Sequence, residues 1–246
     1  MYTAHSAQKE RLIVIPNHYV WLFWSCAFLI PWIGIFALVP QLRRIMWWAS
    51  LFTMPFGLTE PLFVPRYWNP PSLFDLARTT GFDIESLIFS FGIGGVGAVL
   101  YDLLRGRRTV PLPAGERRHH LHRYHRLALA TPFAVFPALY FLPWNPIYPG
   151  ITAMFLGAIA TALCRPDLSR KTWIGGLLFL GYYGSFFLAL EWSAPGYIAR
   201  VWNFSTLSGM LVFGIPLEEL LFAFAFGLYW SGAYEHFTWH RDAPVR

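Results

Sequence analysis

Pro216-Leu217-Glu218-Glu219-Leu220-Leu221-Phe222-Ala223-Phe224 sets two acids at the head of an apolar run, and Asp83-Ile84-Glu85-Ser86-Leu87-Ile88-Phe89-Ser90-Phe91 has the same shape. Three more blocks match in the same order on either side. Pro40-Gln41-Leu42-Arg43-Arg44-Ile45-Met46-Trp47 pairs with Pro166-Asp167-Leu168-Ser169-Arg170-Lys171-Thr172-Trp173. Arg66-Tyr67-Trp68-Asn69 pairs with Arg200-Val201-Trp202-Asn203, and Tyr101-Asp102 with Tyr234-Glu235. Any one block is weak, but ordered matches point to a duplicated half, a common plan in membrane folds.

The composition agrees. Of 246 residues, 56% are hydrophobic and only 13% are charged, against about 25% charged in a soluble domain. So little charge on a soluble protein would leave large apolar patches facing water. The net charge of +6 does not point to nucleic acid, because the basic residues lie between long apolar runs. Cys26 and Cys164 sit inside apolar runs with no Cys-x-x-Cys partner, so neither a disulfide framework nor a metal site is expected. The first run has no small-residue cleavage site behind it and reads as a retained helix.

A crossing helix needs about 20 apolar residues. On that criterion spans are predicted near 19–39, 45–64, 84–104, 127–143, 147–164, 173–192 and 209–233, the fourth being the shortest. The expected fold is all-α: one membrane domain over 1–246 with seven transmembrane helices in a parallel 3+1+3 repeat. Repeat one covers about 16–104, the linker and crossover helix 105–146, and repeat two about 147–237. Seven spans place 14 of the Lys and Arg residues on one side and 5 on the other. The positive-inside rule then puts the basic side and the C-terminus in the cytoplasm, with the N-terminus outside.

Carboxylates near spans are functional candidates by default. Glu60, Glu85, Glu191, Glu218 and Glu219 are all predicted at outer helix ends, with Arg66 and Arg200 as nearby cations. The competing reading makes Glu85, Glu218 and Glu219 ordinary first-turn acids favoured by the helix dipole; recurrence in both halves argues against it. Among the aromatics, Trp68 and Trp202 recur beside Asn69 and Asn203, and ring faces in a dry pocket stabilise cations. Gly92-Ile93-Gly94-Gly95-Val96-Gly97 fits a dinucleotide pattern, but no soluble strand precedes it, and close helix packing is the better account. The run Arg117-Arg118-His119-His120-Leu121-His122-Arg123-Tyr124-His125 reads as a basic loop touching anionic lipid rather than a metal site.

The Pro216-Leu217-Glu218-Glu219 block resembles the Pro-x-Glu-Glu signature of the integral-membrane lycopene cyclases, the heterodimer-type enzymes of carotenoid biosynthesis. Glu60-Pro61-Leu62-Phe63 and Phe82-Asp83-Ile84-Glu85-Ser86-Leu87 carry the likeness into the first half, so that it spans about 16–237, as though both subunits were fused. The first half departs from the pattern: it lacks the Pro and the second acid. The resemblance implies a cofactor-independent, non-redox isomerisation in a bacterial inner membrane. A proton added to the end of an acyclic carotenoid starts ring closure, and loss of a proton yields an ionone ring. It implies catalytic roles for Glu218, Glu219 and Glu85, with Glu60, Glu191, Arg66, Arg200, Trp68, Trp202, Asn69 and Asn203 binding substrate or supporting. The expected partners are a polyene such as lycopene and membrane lipid, with no metal and no nucleic acid; homo-oligomer formation is left open. A small-solute transporter built from the same repeats is the alternative. A magnesium-dependent prenyltransferase ranks lower, because no Asp-x-x-Asp or Asp-x-x-x-Asp motif occurs.

Overall fold

Long apolar runs become helices wherever backbone polar groups must be satisfied without water. The computed structural model describes residues 15–244. The chain opens with α1 (Asn17–Ala27) and α2 (Leu29–Leu38), which form one apolar rod broken at Phe28. Pro31 accounts for the break, since it has no N–H to offer the Ala27 carbonyl. A 3₁₀ turn (Pro40–Leu42) leads to α3 (Arg43–Thr53), which tightens into a long 3₁₀ segment, Met54–Leu62. Pro55 and Pro61 each remove a helical donor there. After the short α4 (Leu76–Thr80) comes α5 (Ile84–Arg105), capped by Asp83 on the Ser86 N–H and ended by Gly106 in the left-handed region. The single turn α6 (Ala114–Arg117) precedes α7 (His125–Tyr140), α8 (Ile147–Cys164) and α9 (Ser169–Ser193). Short α10 (Tyr197–Val201), α11 (Leu217–Trp230) and α12 (Ala233–Thr238) complete the helices. Strand β1 (Arg107–Pro111) pairs antiparallel with the C-terminal strand β4 (His240–Pro244), and β2 (Leu211–Val212) with β3 (Ile215–Pro216).

Among the described residues four helical stretches are long and apolar enough to cross a membrane: Asn17–Leu38, Ile84–Arg105, Ile147–Cys164 and Pro166–Ser193. Outward residues such as Ile30 (71% exposed) and Leu38 (82%) are apolar, as lipid-facing positions are. The other three expected spans coincide with helical segments that are shorter or interrupted. The seventh differs most. Residues 209–216 turn back as a hairpin in which Gly209, Phe213 and Gly214 take positive φ, and the helix starts only at Leu217.

The matched sequence blocks share local geometry. Val39 and Arg165 have nearly the same backbone angles (φ −124° and −129°, ψ 76° in both) ahead of Pro-led 3₁₀ turns that start α3 and α9. Glycines let the following helices close on these: a Cβ on Gly94 of α5 would fall on the Thr53 side chain of α3, and one on Gly227 of α11 would meet Phe179 and Gly176 of α9. The glycine-rich run of α5 is thus a packing surface against α2 and α3, with Trp32 and Ser50 over Gly95. At the other ends of these helices a buried Lys171 bridges Asp102 (2.7 Å) and Glu235 (2.6 Å), joining α9, α5 and α12.

Candidate active site

The two Arg-x-Trp-Asn loops meet. Asn69 N–H donates to the Val201 carbonyl (2.8 Å) and Asn203 N–H donates to the Tyr67 carbonyl (2.9 Å), so Trp68 and Trp202 form an isolated antiparallel bridge. Their rings lie 5.3 Å apart, and Trp21 (4.8 Å from Trp68) and Phe187 (5.5 Å from Trp202) extend the aromatic wall. Trp202 and Trp68 each point the indole N–H at an acid. Trp202 donates to Glu219 Oε1 (2.7 Å), and Trp68 donates to Glu60 Oε2 (3.1 Å).

Glu219 stands in the first turn of α11, 4% exposed. Besides Trp202 it accepts from the Tyr67 hydroxyl on Oε1 and from the Tyr183 hydroxyl on Oε2 (2.7 Å). Burial, with Glu219 alongside, pushes the Tyr67 hydroxyl well above its ordinary range, which keeps it a donor. Glu60 also accepts from the Ser86 hydroxyl (2.9 Å). Ser86 occupies the place in the first half that Glu219 holds in the second. Glu219 of α11 thus takes the hydroxyl of Tyr183 of α9, whereas Ser86 of α5 gives its hydroxyl to Glu60 of the 3₁₀ segment.

Glu218 and Glu85 form a second matched pair. Glu218 (1% exposed) accepts on Oε1 from the Tyr148 hydroxyl (2.7 Å) and the Ser208 N–H (2.8 Å). Glu85 accepts on Oε1 from the Leu73 N–H (2.6 Å). Each thus ties down the loop ahead of its own helix, and in both the buried Oε2 has no hydrogen-bond partner among the described residues.

The remaining sequence-derived candidates sit apart from this acid cluster. Glu191 closes the turn into α10 by accepting from the Gly196 (2.5 Å) and Ile198 (3.3 Å) N–H groups. Arg66 and Arg200 are exposed and do not pair with these acids: Arg66 donates to the Trp144 carbonyl (3.0 Å), and Arg200 to Asn17 Oδ1 (3.0 Å). The Asn203 amide donates to the Arg66 carbonyl (3.2 Å), and Asn69 takes part through its backbone. Neutral donors, not cations, therefore hold the carboxylates. Tyr67, Tyr148, Tyr183 and Ser86 went unrecognised as site residues from the sequence; of these, Tyr67 and Ser86 carried a signal, each lying inside a repeated block. Among the described residues no three His, Cys, Asp or Glu side chains are placed to hold a metal ion.

Buried acids on helix starts, walled by indoles and phenols, sit inside a helical fold of the membrane-protein class. Residues 145–237, which contain Tyr148, Tyr183, Trp202, Glu218 and Glu219, match the model of the lycopene cyclase family, and this supports membership of a lycopene cyclase family. No curated protein and no solved structure matches the chain. The transporter reading gains no support from these comparisons.

Proposed function

We propose that the protein is a carotenoid cyclase that closes ionone rings on acyclic ends such as those of lycopene, by proton-initiated isomerisation without redox change or cofactor. The reading that accompanies it is a single membrane domain of seven spans in a parallel 3+1+3 repeat, in a bacterial inner membrane, with the N-terminus outside.

One observation carries the chemistry. Three donors converge on the buried Glu219, while its neighbour Glu218 keeps a buried oxygen with no partner. Glu218 engages its two donors through Oε1 alone, which leaves Oε2 as the oxygen that would carry a proton to the terminal double bond. Protonation leaves a tertiary cation. The neighbouring double bond attacks it, forming the ring C–C bond and moving the cation into the ring. Glu219 and the ring faces of Trp202 and Trp68 stabilise that charge, since an aromatic face attracts a cation more strongly where water is excluded. Loss of a ring proton to a carboxylate restores neutrality, and the product is an isomer of the substrate. Glu85 and Glu60 are the corresponding acids of the first half, where the second acid of the pair is replaced by Ser86.

Expression in a lycopene-accumulating bacterium tests the reading. Pigment extracts should shift from red towards orange or yellow, with cyclised products on chromatography. Glu218→Gln and Glu219→Gln should each abolish the shift while the protein stays in the membrane at normal levels. Unchanged lycopene beside well-folded parent protein would defeat the proposal.

A further inference from the structure

The N-terminus of α7 and the segment around α12 enclose a cavity of about 690 Å³, at the far end of α11 from Glu219. Fourteen helical residues separate the two ends, about 21 Å, so the cavity is distinct from the acid cluster. Its walls divide by chemistry. Arg123 and Arg126 supply positive charge and His122 and His236 ring nitrogens, while Phe52, Phe133 and Phe237 supply apolar surface. Neither arginine has an ion-pair partner among the described residues. Arg123 stacks on Tyr124 at 5.4 Å.

Two independent features point to a ligand with an anionic head. The first turn of α7 lines the cavity, and a helix N-terminus favours an anion through its N–H groups and dipole. His236 is 2% exposed, lines the same cavity, and leaves Nδ1 with no hydrogen-bond partner. His125 is already engaged, by the His236 carbonyl (2.9 Å) and Cys164 Sγ (3.5 Å), and stacks on Trp239. The exit is apolar: Leu127, Phe133, Phe237 and Phe52 line the cavity and are each exposed. A free anion would find no use for that exit, whereas an acyl chain would lie along it.

We propose that this cavity is a binding site for an anionic phospholipid, with the phosphate held by Arg123, Arg126 and His236 and an acyl chain laid over Phe133 and Phe52. Native mass spectrometry of the full chain in nonionic detergent tests it, with phosphatidylglycerol and phosphatidylcholine of identical chains added in turn. One phosphatidylglycerol should be retained in preference to phosphatidylcholine by about 30-fold, the effect expected of two basic residues at a lipid surface. The double variant Arg123→Ala/Arg126→Ala should lose the preference, and Arg123→Lys/Arg126→Lys should keep most of it. Equal retention of the two lipids, or an unaltered preference in the alanine variant, would overturn the site. Displacement of the lipid by millimolar inorganic phosphate would overturn the lipid assignment and leave a simple anion site.

Discussion

Lys171→Met isolates the energetic role of the ion cluster that ties α5, α9 and α12 together. Lys171 is 1% exposed, and its ammonium lies 2.7 Å from Asp102 and 2.6 Å from Glu235, both fully buried. Methionine fills nearly the same volume, so packing changes little and the loss is electrostatic. Removing one partner of a buried ion pair destabilises by about 3–5 kcal/mol, because here two buried carboxylates lose the ammonium that both of them bind. At about 2–4 °C per kcal/mol for a chain of this size, the apparent melting temperature in detergent should fall by about 6–20 °C. The triple variant Lys171→Met/Asp102→Asn/Glu235→Gln removes all three charges together. It should recover most of the loss, since an uncharged cluster carries no desolvation penalty. Both proteins would be followed by tryptophan fluorescence during heating at constant lipid and detergent. A single variant that melts with the parent, or a triple variant no better than the single, would refute the reasoning.

Gly94→Val should destabilise by about 1–3 kcal/mol or more, because its side chain would collide with Thr53 across the α3–α5 crossing; thermal melting checks it. Trp202→Phe keeps a ring but removes the 2.7 Å donor to Glu219, a charged hydrogen bond worth about 1.5–3 kcal/mol. The initial rate of ring formation in membranes should fall about 10- to 100-fold, and Trp202→Leu, which also removes the ring, should fall further. Burial, with Arg165 and His125 nearby, lowers the His236 imidazole to about 3. The native state therefore holds it neutral while the unfolded chain takes up a proton near pH 6.5. Stability from this group is complete above pH 6.5 and is lost as pH falls towards 3. Between pH 7 and pH 5 the loss is about 2 kcal/mol, read as a lower melting temperature in lipid-free detergent; His236→Phe should flatten that dependence.

Hydropathy located the helices because burial in lipid is a property of composition averaged over twenty residues. It fails where backbone angles decide. Met210-Leu211-Val212-Phe213 is apolar enough to begin a span, yet positive φ at Gly209, Phe213 and Gly214 folds it into a hairpin. Likewise the lower half of the expected second span is helical by pattern, and its prolines convert it to a 3₁₀ segment. The acids were legible as acids at helix ends. Their partners were not, since Tyr67 meets Glu219 across 152 residues and Trp68 meets Trp202 only once the two loops pair. Charge complementarity suggested Arg66 and Arg200 as partners, but exposed guanidinium groups stay in water and satisfy carbonyls instead. The neutral phenol and indole donors form the cluster without bringing a second buried charge.

The crossed pairing of the two Arg-x-Trp-Asn loops makes the acidic centre a shared possession. Tyr67 reaches Glu219 from the opposite half of the chain, and the Tyr67 carbonyl is in turn claimed by Asn203. Neither half alone could furnish a finished chamber, however well its helices folded. Covalent continuity between the halves guarantees their one-to-one supply, and the Trp68–Trp202 seam is where the two meet.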